Sequence, residues 1–288
     1  MLTIAYDPGR PALYLPERRE ALFSRGENYS VLQLASEMSR LAYLRFETSK
    51  TEYARLRLAL NQIDFSHLTI FTDTSTGTEA YGAYRTFDKL AIVAFRGTQP
   101  DKIKDLLTNL RSTFVRWPVG SAKVHRGFAT AALRLIKSIE NWLSKLGGSA
   151  SKVLLVGHSL GGALATLIST LITGAHLVTI GAPRVGDSDF VNCLNPDAAV
   201  RLVNCCDLVP GLPFKSLGFR HGIGVTYLSS NAKIWRNPGR TLIKADRVTA
   251  RREYLRCFSP KRNNVLLRDF ADHAPINYIR VLFQKSAD

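Results

Sequence analysis

Between Val153 and Pro183 the chain carries no lysine, arginine, aspartate or glutamate, a run of 31 residues. No other feature limits the possible folds as much. As one helix the run could cross about 30 Å of hydrocarbon, but its punctuation argues against a membrane span. Gly157, Gly161, Gly162, Gly174 and Gly181 divide it, and six Ser or Thr residues with His158 and His176 dilute it. Read by periodicity, it is a strand over "KVLLVG", a turn, a helix over "LGGALATLISTLITG", and a strand over "HLVTIGAP". A strand covered on both faces is itself a continuous apolar run. The stretch therefore predicts a mostly parallel sheet with helices on both faces.

The flanking sequence agrees. Residues 30–46 space Leu34, Met38 and Leu41 along one helical face, with Ser30 as a cap. "LTIFTD", "TEAYGAYRTFD" and "KLAIVAFRGT" are short, β-branched or aromatic runs bounded by turn residues, and read as strands. Residues 127–146 return to an amphipathic helix ended by Gly147-Gly148. Further strands are predicted over "AVRLVNCC" and over "GFRHGIGVTYLS". A last helix over "APINYIRVLFQK" has Pro275 in its first turn. With 288 residues, 45% of them hydrophobic, the chain can bury the core of one large α/β domain. Within it, residues 1–60 form a helical flank.

Chemistry concentrates in Gly157-His158-Ser159-Leu160-Gly161, a G-x-S-x-G pattern between a predicted strand and a predicted helix. Such a turn exposes a serine hydroxyl above the sheet, and its glycines let strand and helix approach closely. It also places the Leu160 N–H at a helix N-terminus, where it can donate to a developing oxyanion. A serine needs a histidine to take its proton and a carboxylate to orient that histidine, in the chain order Ser, acid, His. Asp207, past "AVRLVNCC", competes as the acid with Asp187, Asp189 and Asp197. His273, in the loop before the last helix, competes as the base with His125, His158 and His221. Of the rivals, His158 adjoins Ser159 but should point away from it, and His221 falls in the middle of a predicted strand.

Taken in order, "VAFRGT", "VHRGF", "VGHSLGGALATL", "GAPRVGD", "NCCDLVPGLP" and "DHAPINY" resemble the class 3 lipases, the α/β-hydrolases that include the fungal triacylglycerol lipases. The resemblance spans about residues 60–282. It implies the α/β-hydrolase fold and a serine hydrolase cleaving carboxylic esters, acylglycerols foremost, with no metal or organic cofactor. It selects Ser159, Asp207 and His273 as the triad and leaves Asp187 a structural role. It assigns the second oxyanion donor to Thr98, alongside Leu160. It also suggests that residues 99–110, where Ile103, Leu106, Leu107 and Leu110 share one face, form a lid helix. A fixed surface helix would carry the same pattern.

Charge adds a second theme. The net charge is +16, and residues 215–268 hold thirteen Lys or Arg against Asp246 and Glu253. This basic segment lies between the acid and the base. It suggests transient contact with an anionic lipid surface, and so a phospholipase or a non-catalytic lipid-binding protein as alternatives. No zinc-finger, RRM or basic-zipper pattern supports nucleic-acid binding. The four cysteines lack metal-ligand spacing and read as reduced packing residues. The N-terminus has no basic region followed by an apolar core, so a cytoplasmic protein is expected, although a trimmed secreted form would look the same.

Overall fold

The computed structural model describes residues 4–98, 113–146, 150–259 and 261–284. The expected lid helix at 99–110 and the Gly147-Gly148 stop lie outside the described residues.

The chain enters through a short helix α1 (Arg10–Tyr14), then α2 (Val31–Leu41) and α3 (Lys50–Asn61). Ser30 caps α2 in a reciprocal capping box with Gln33, satisfying two otherwise orphaned N–H groups. The helix stops at Leu41, short of the predicted Phe46. Three strands follow: β1 (Phe65–Asp73), β2 (Thr78–Arg85) and β3 (Leu90–Phe95). A hairpin of β4 (Phe114–Arg116) and β5 (Lys123–His125) leads into the long helix α4 (Arg126–Lys145). Next come β6 (Lys152–His158), α5 (Leu160–Ser169) and β7 (His176–Ile180). A one-turn helix α6 (Ser188–Val191) and β8 (Ala199–Asn204) precede β9 (Val225–Leu228) and β10 (Ile234–Arg236). The chain closes with α7 (Arg240–Cys257), α8 (Arg268–Ala271) and α9 (Pro275–Leu282), with Pro275 in the first turn of α9.

One eight-stranded sheet runs β1-β2-β3-β6-β7-β8-β9-β10. Its centre, from β3 to β9, is parallel, and both edges are antiparallel. Helices cover both faces. On one face α2 and α9 pack together over Ile92, Val156, Ile180 and Leu202. On the other α4 and α5 pack over Val93, Phe95, Leu155 and Leu177. Consecutive residues of β3 and β6 thus enter opposite cores, which is why the uncharged run shows no alternation.

Two buried arginines tie the N-terminal flank to this frame. Arg40 pairs with Glu37 at 2.6 Å and donates to the carbonyls of Pro16, Arg19 and Glu20. Arg96, just past β3, donates to the carbonyls of Ala42 and Leu44 and pairs with Glu47 at 2.6 Å. Each buried charge is matched both by a carboxylate and by backbone oxygens, the condition under which burying it is tolerable.

Two further predicted elements change. The strand expected over 218–229 is formed only from Val225 to Leu228. Upstream of it, Gly218 adopts φ 92° and Arg220 makes only an isolated bridge to Gly186, so the apparent alternation is a loop crossing the strand ends. The helix after Ser159 stops at Ser169, one turn short of Gly174.

Candidate active site

Ser159 occupies the turn between β6 and α5 with φ 56° and ψ −126°. A left-handed φ on a serine costs of order 1–3 kcal/mol and persists only when the surroundings impose it. Here the neighbouring glycines show what imposes it. A Cβ on Gly157 would sit 2.2 Å from the Gly161 carbonyl carbon, and one on Gly161 would sit 2.1 Å from the Phe95 carbonyl oxygen. Strand, turn and helix are in backbone contact, so no side chain fits at either position. The Ser159 N–H donates to the Ile180 carbonyl at 2.9 Å, which fixes the turn against β7.

Ser159 Oγ lies 3.0 Å from His273 Nε2. The other ring nitrogen of His273, Nδ1, lies 2.9 Å from Asp207 Oδ2. All three residues are buried, Ser159 and His273 being 2% and 1% exposed. Asp207 follows β8 and is saturated with donors. Besides His273, Oδ2 accepts from the Tyr278 hydroxyl at 2.5 Å, and Oδ1 accepts from the Val209 N–H at 2.9 Å. Burial, then the neighbouring Asp207 charge, raises the Tyr278 pKa well above the usual phenol range, so Tyr278 is a donor here. A carboxylate with three donors is held in one orientation. With Nδ1 of His273 donating to it, Nε2 is left to accept from serine.

Two further residues complete this cluster. Gly181, at the end of β7 with φ 59°, faces the same atoms. A Cβ there would lie 2.8 Å from Asp207 Oδ2, 2.9 Å from the Tyr278 hydroxyl and 3.3 Å from His273 Nδ1. His158 does turn away from the serine hydroxyl, into a chain that supports the histidine loop. Its Nε2 contacts the His273 carbonyl oxygen at 2.8 Å, and its Nδ1 contacts the Tyr43 hydroxyl at 2.8 Å. A carbonyl can only accept, so Nε2 carries the proton and Nδ1 accepts from tyrosine. Burial, reinforced by His273, holds the His158 pKa well below the usual imidazole range and keeps it neutral.

The rival candidates are occupied elsewhere. Asp187 caps α6 through the Phe190 N–H and also accepts from the Lys123 N–H. Asp189 accepts from Ser121, and Asp197 lies in a one-turn 3₁₀ helix before β8. His125 caps α4 and stacks on Phe128 with ring centroids 4.0 Å apart. His221 lies in the loop before β9 rather than within a strand, and its Nε2 contacts the Pro210 carbonyl oxygen at 2.8 Å.

Leu160 directly follows Ser159, and the loop that carries Thr98 passes close to the serine turn. The parallel register pairs Phe95 with Gly157, so the end of β3 runs alongside the serine turn. A Cβ on Gly97 would be 2.8 Å from the His158 carbonyl oxygen. Thr98 Oγ1 is buried without a hydrogen-bond partner among the described residues. Leu160 opens α5, where the first N–H groups have no acceptor within the helix.

Among the described residues, Cys205, Cys206 and Asp272 bring potential metal-ligand atoms within 4.8 Å of one another. Their hydrogen bonds account for them without an ion. Asp272 accepts from Tyr6, the Cys206 N–H and Arg268, and Cys205 donates to Asp246 at 3.2 Å. Contact with Cys206 and burial push the Cys205 thiol up, away from the thiolate that metals bind. All four cysteines are free.

The sheet order, the crossing helices and a serine on a left-handed strand-to-helix turn define an α/β-hydrolase fold. The comparisons name the family. The family model for lipase (class 3) matches residues 92–217. A secreted mono- and diacylglycerol lipase of Fusarium solani is 32% identical over 157 residues, covering 51% of this chain and 46% of that protein. A lipase of Rhizopus niveus is 29% identical over 170 residues, covering 54% and 42%. The structure of the Rhizomucor miehei triacylglyceride lipase superposes with a TM-score of 0.63 at 26% identity, covering 71% of this chain and 82% of that one. Over residues 92–217, under half of its length, the chain is similar to the class 3 lipase family. It spans less than half the length of these two curated relatives.

Proposed function

We propose that the protein is a serine hydrolase that cleaves carboxylic esters, acylglycerols foremost, through an acyl-enzyme. The observation that carries this reading is the unbroken relay from Ser159 Oγ through His273 to Asp207, at 3.0 Å and 2.9 Å, behind a serine on a strained turn. Ser159 attacks the ester carbonyl while His273 Nε2 accepts its proton. Asp207 holds the Nδ1–H tautomer and stabilises the imidazolium that forms. The tetrahedral oxyanion is met by the N–H groups of Leu160 and Thr98, and the unpaired Thr98 hydroxyl is a third donor. The intermediate collapses when His273 returns the proton to the leaving alcohol. Water, deprotonated by the same histidine, then releases the acid. The names of the relatives support glycerol esters as the substrate class. Among the described residues no helix is long and apolar enough to cross a membrane, so any contact with a lipid surface by these residues does not rest on such a span.

Hydrolysis of nitrophenyl esters and of mono-, di- and triacylglycerols of graded chain length tests the reading. Ser159→Ala should lower kcat by about 10⁴-fold or more, with its thermal midpoint within a few degrees of wild type. If wild type and variant are equally active, or both inert on every ester, the mechanism is wrong.

A further inference from the structure

Beside the acid loop lies a cavity of about 920 Å³ that neither Ser159 nor His273 lines. Its floor is the face of β8 and β9 that carries Arg201, Val203, Val225 and Tyr227, and α7 forms its outer wall. Helix α7 presents Arg240, Lys244, Arg247 and Arg251 to it, at spacings of four, three and four residues, so one helical face supplies four cations. Arg184 and Arg220 line the cavity too.

Little on the protein answers this charge. Of the two lining carboxylates, Asp269 is paired with Arg251 at 2.5 Å, and Asp207 is committed to His273, Tyr278 and the Val209 N–H. Among the described residues Arg184, Arg201, Arg220, Arg240, Lys244 and Arg247 have no carboxylate partner within 4 Å. Several are nonetheless held in place. Arg201 Nε donates to the Ile223 carbonyl at 3.1 Å and Arg247 Nε to the Cys205 carbonyl at 2.6 Å. Arg184 Nη1 donates to the Pro213 carbonyl at 2.6 Å, while its buried Nε has no partner among the described residues. Burial and the Arg184 charge push the Arg201 pKa down to about 10, the cost of crowding like charges together.

Guanidinium groups anchored along one edge, with donors to spare and no counter-charge, form a preorganised receptor for oxyanions that accept bidentate bonds. We propose that this cavity binds a multiply phosphorylated anion, its phosphate groups bridging the α7 cations and the arginines of the sheet and loop. A single phosphate could reach only part of so wide a ring of charge. The volume falls within the range of small-ligand sites, about 300–1,000 Å³. A free polyphosphate and a polyphosphorylated lipid headgroup offer the same chemistry.

Calorimetric titration at about 0.15 M salt with inorganic phosphate, tripolyphosphate and inositol hexakisphosphate tests the site. Affinity should climb along that series with one site per chain. Arg240 and Lys244 are exposed and line the cavity, whereas Arg252 and Arg256 are exposed on α7 and do not. Arg240→Glu/Lys244→Glu should weaken inositol hexakisphosphate binding by about tenfold or more, and Arg240→Gln/Lys244→Gln by less. Arg252→Glu/Arg256→Glu makes the same change in net charge and should leave binding almost unaltered. Thermal melts of each double variant show that it is folded. Pelleting with phosphatidylcholine vesicles, with and without phosphatidylinositol bisphosphate, separates the sources. Pelleting that free inositol hexakisphosphate reverses assigns the site to a headgroup, and binding of free polyphosphate without pelleting assigns it to a soluble anion. Absence of binding by wild type, or equal losses in the two charge-reversal pairs, overturns the proposal. So does equal competition by duplex DNA.

Discussion

Asp207 stands on the border between two regions built in opposite ways. On its active-site side the polar atoms that hold the histidine relay are answered from within the chain. Both oxygens of Asp207, both ring nitrogens of His273 and both of His158 have partners between 2.5 and 3.0 Å. On its other side, cations collect around a cavity and the chain supplies almost no anions. Internal compensation makes a group rigid and sets its protonation state, which acid–base chemistry at one serine requires. Uncompensated charge leaves binding free energy unspent until an outside partner arrives. The same loop serves both, since Cys206 to Leu208 line the cavity while Asp207 holds the histidine.

Breaking the compensated side should have the largest effect. Asp207→Asn keeps the shape but sets an amide against donors, because His273, Tyr278 and Val209 all donate to this position. One amide oxygen cannot accept all three, and the NH₂ drives His273 towards the wrong tautomer. Ester hydrolysis should drop by about 10⁴-fold with substrate affinity little changed. A loss below about tenfold in a steady-state assay would assign the acid elsewhere. Gly181→Ala attacks the same cluster by volume alone. The methyl would meet Asp207 Oδ2 at 2.8 Å on a backbone at φ 59°. A displacement of the pair by a fraction of an ångström should lower kcat by about 10²-fold, with a stability loss of about 1–3 kcal/mol. Wild-type kcat in this variant would show that the close approach has no catalytic consequence.

These two positions differ in how visible they were in the sequence. The uncharged run from Val153 to Pro183 was decipherable because a doubly covered parallel strand, a glycine turn and a buried helix each leave a local pattern. Ser159 and the Leu160 N–H were read from that context. Asp207 and His273 could be narrowed by chain order, but choosing among the rivals needed the resemblance to known lipases. Gly181 and Tyr278 were not legible. Their roles depend on where β7 and α9 end relative to Asp207, a tertiary fact that no spacing encodes. The strand expected over 218–229 failed for a related reason, since alternation in a loop that skirts the strand ends mimics a pleat. The basic run was visible only as a sum. The periodicity of Arg240, Lys244, Arg247 and Arg251 is in the sequence, but it acquires meaning only once α7 is seen to wall a cavity.

Relieving the uncompensated side should have a smaller effect of the opposite sign. Arg201→Met keeps the apolar stem and removes a crowded charge whose pKa burial and Arg184 push down to about 10. Replacing a poorly compensated buried ion by a residue of similar volume is often stabilising. A gain of about 1 kcal/mol should raise the midpoint by about 2–4 °C without added anion. Saturating tripolyphosphate should reverse the ranking, because wild type gains binding free energy that the variant lacks. A variant less stable than wild type in both conditions would show that Arg201 is held for its bond to Ile223, and the two regions would then not differ as argued.

The pH dependence of stability measures both regions at once. Each holds one neutral histidine: buried His158, lowered by burial and then by His273, and half-buried His221, lowered by desolvation and then by Arg201. In the unfolded chain both return to about 6.5. Above that pH neither form of the protein is protonated at these sites, and their contribution is fully present. As pH falls below it, the unfolded chain takes up protons that the folded chain refuses, so stability is lost. Each site contributes a slope of at most about 1.4 kcal/mol per pH unit. His221→Gln retains a donor for the Pro210 carbonyl but cannot titrate, so it should remove one of the two contributions and halve the slope between pH 6.5 and 5.5, a window above most carboxylate titration. A wild-type midpoint that is flat across that window, or a slope that the substitution leaves unchanged, would mean that His221 is not held neutral by desolvation and the arginines around it.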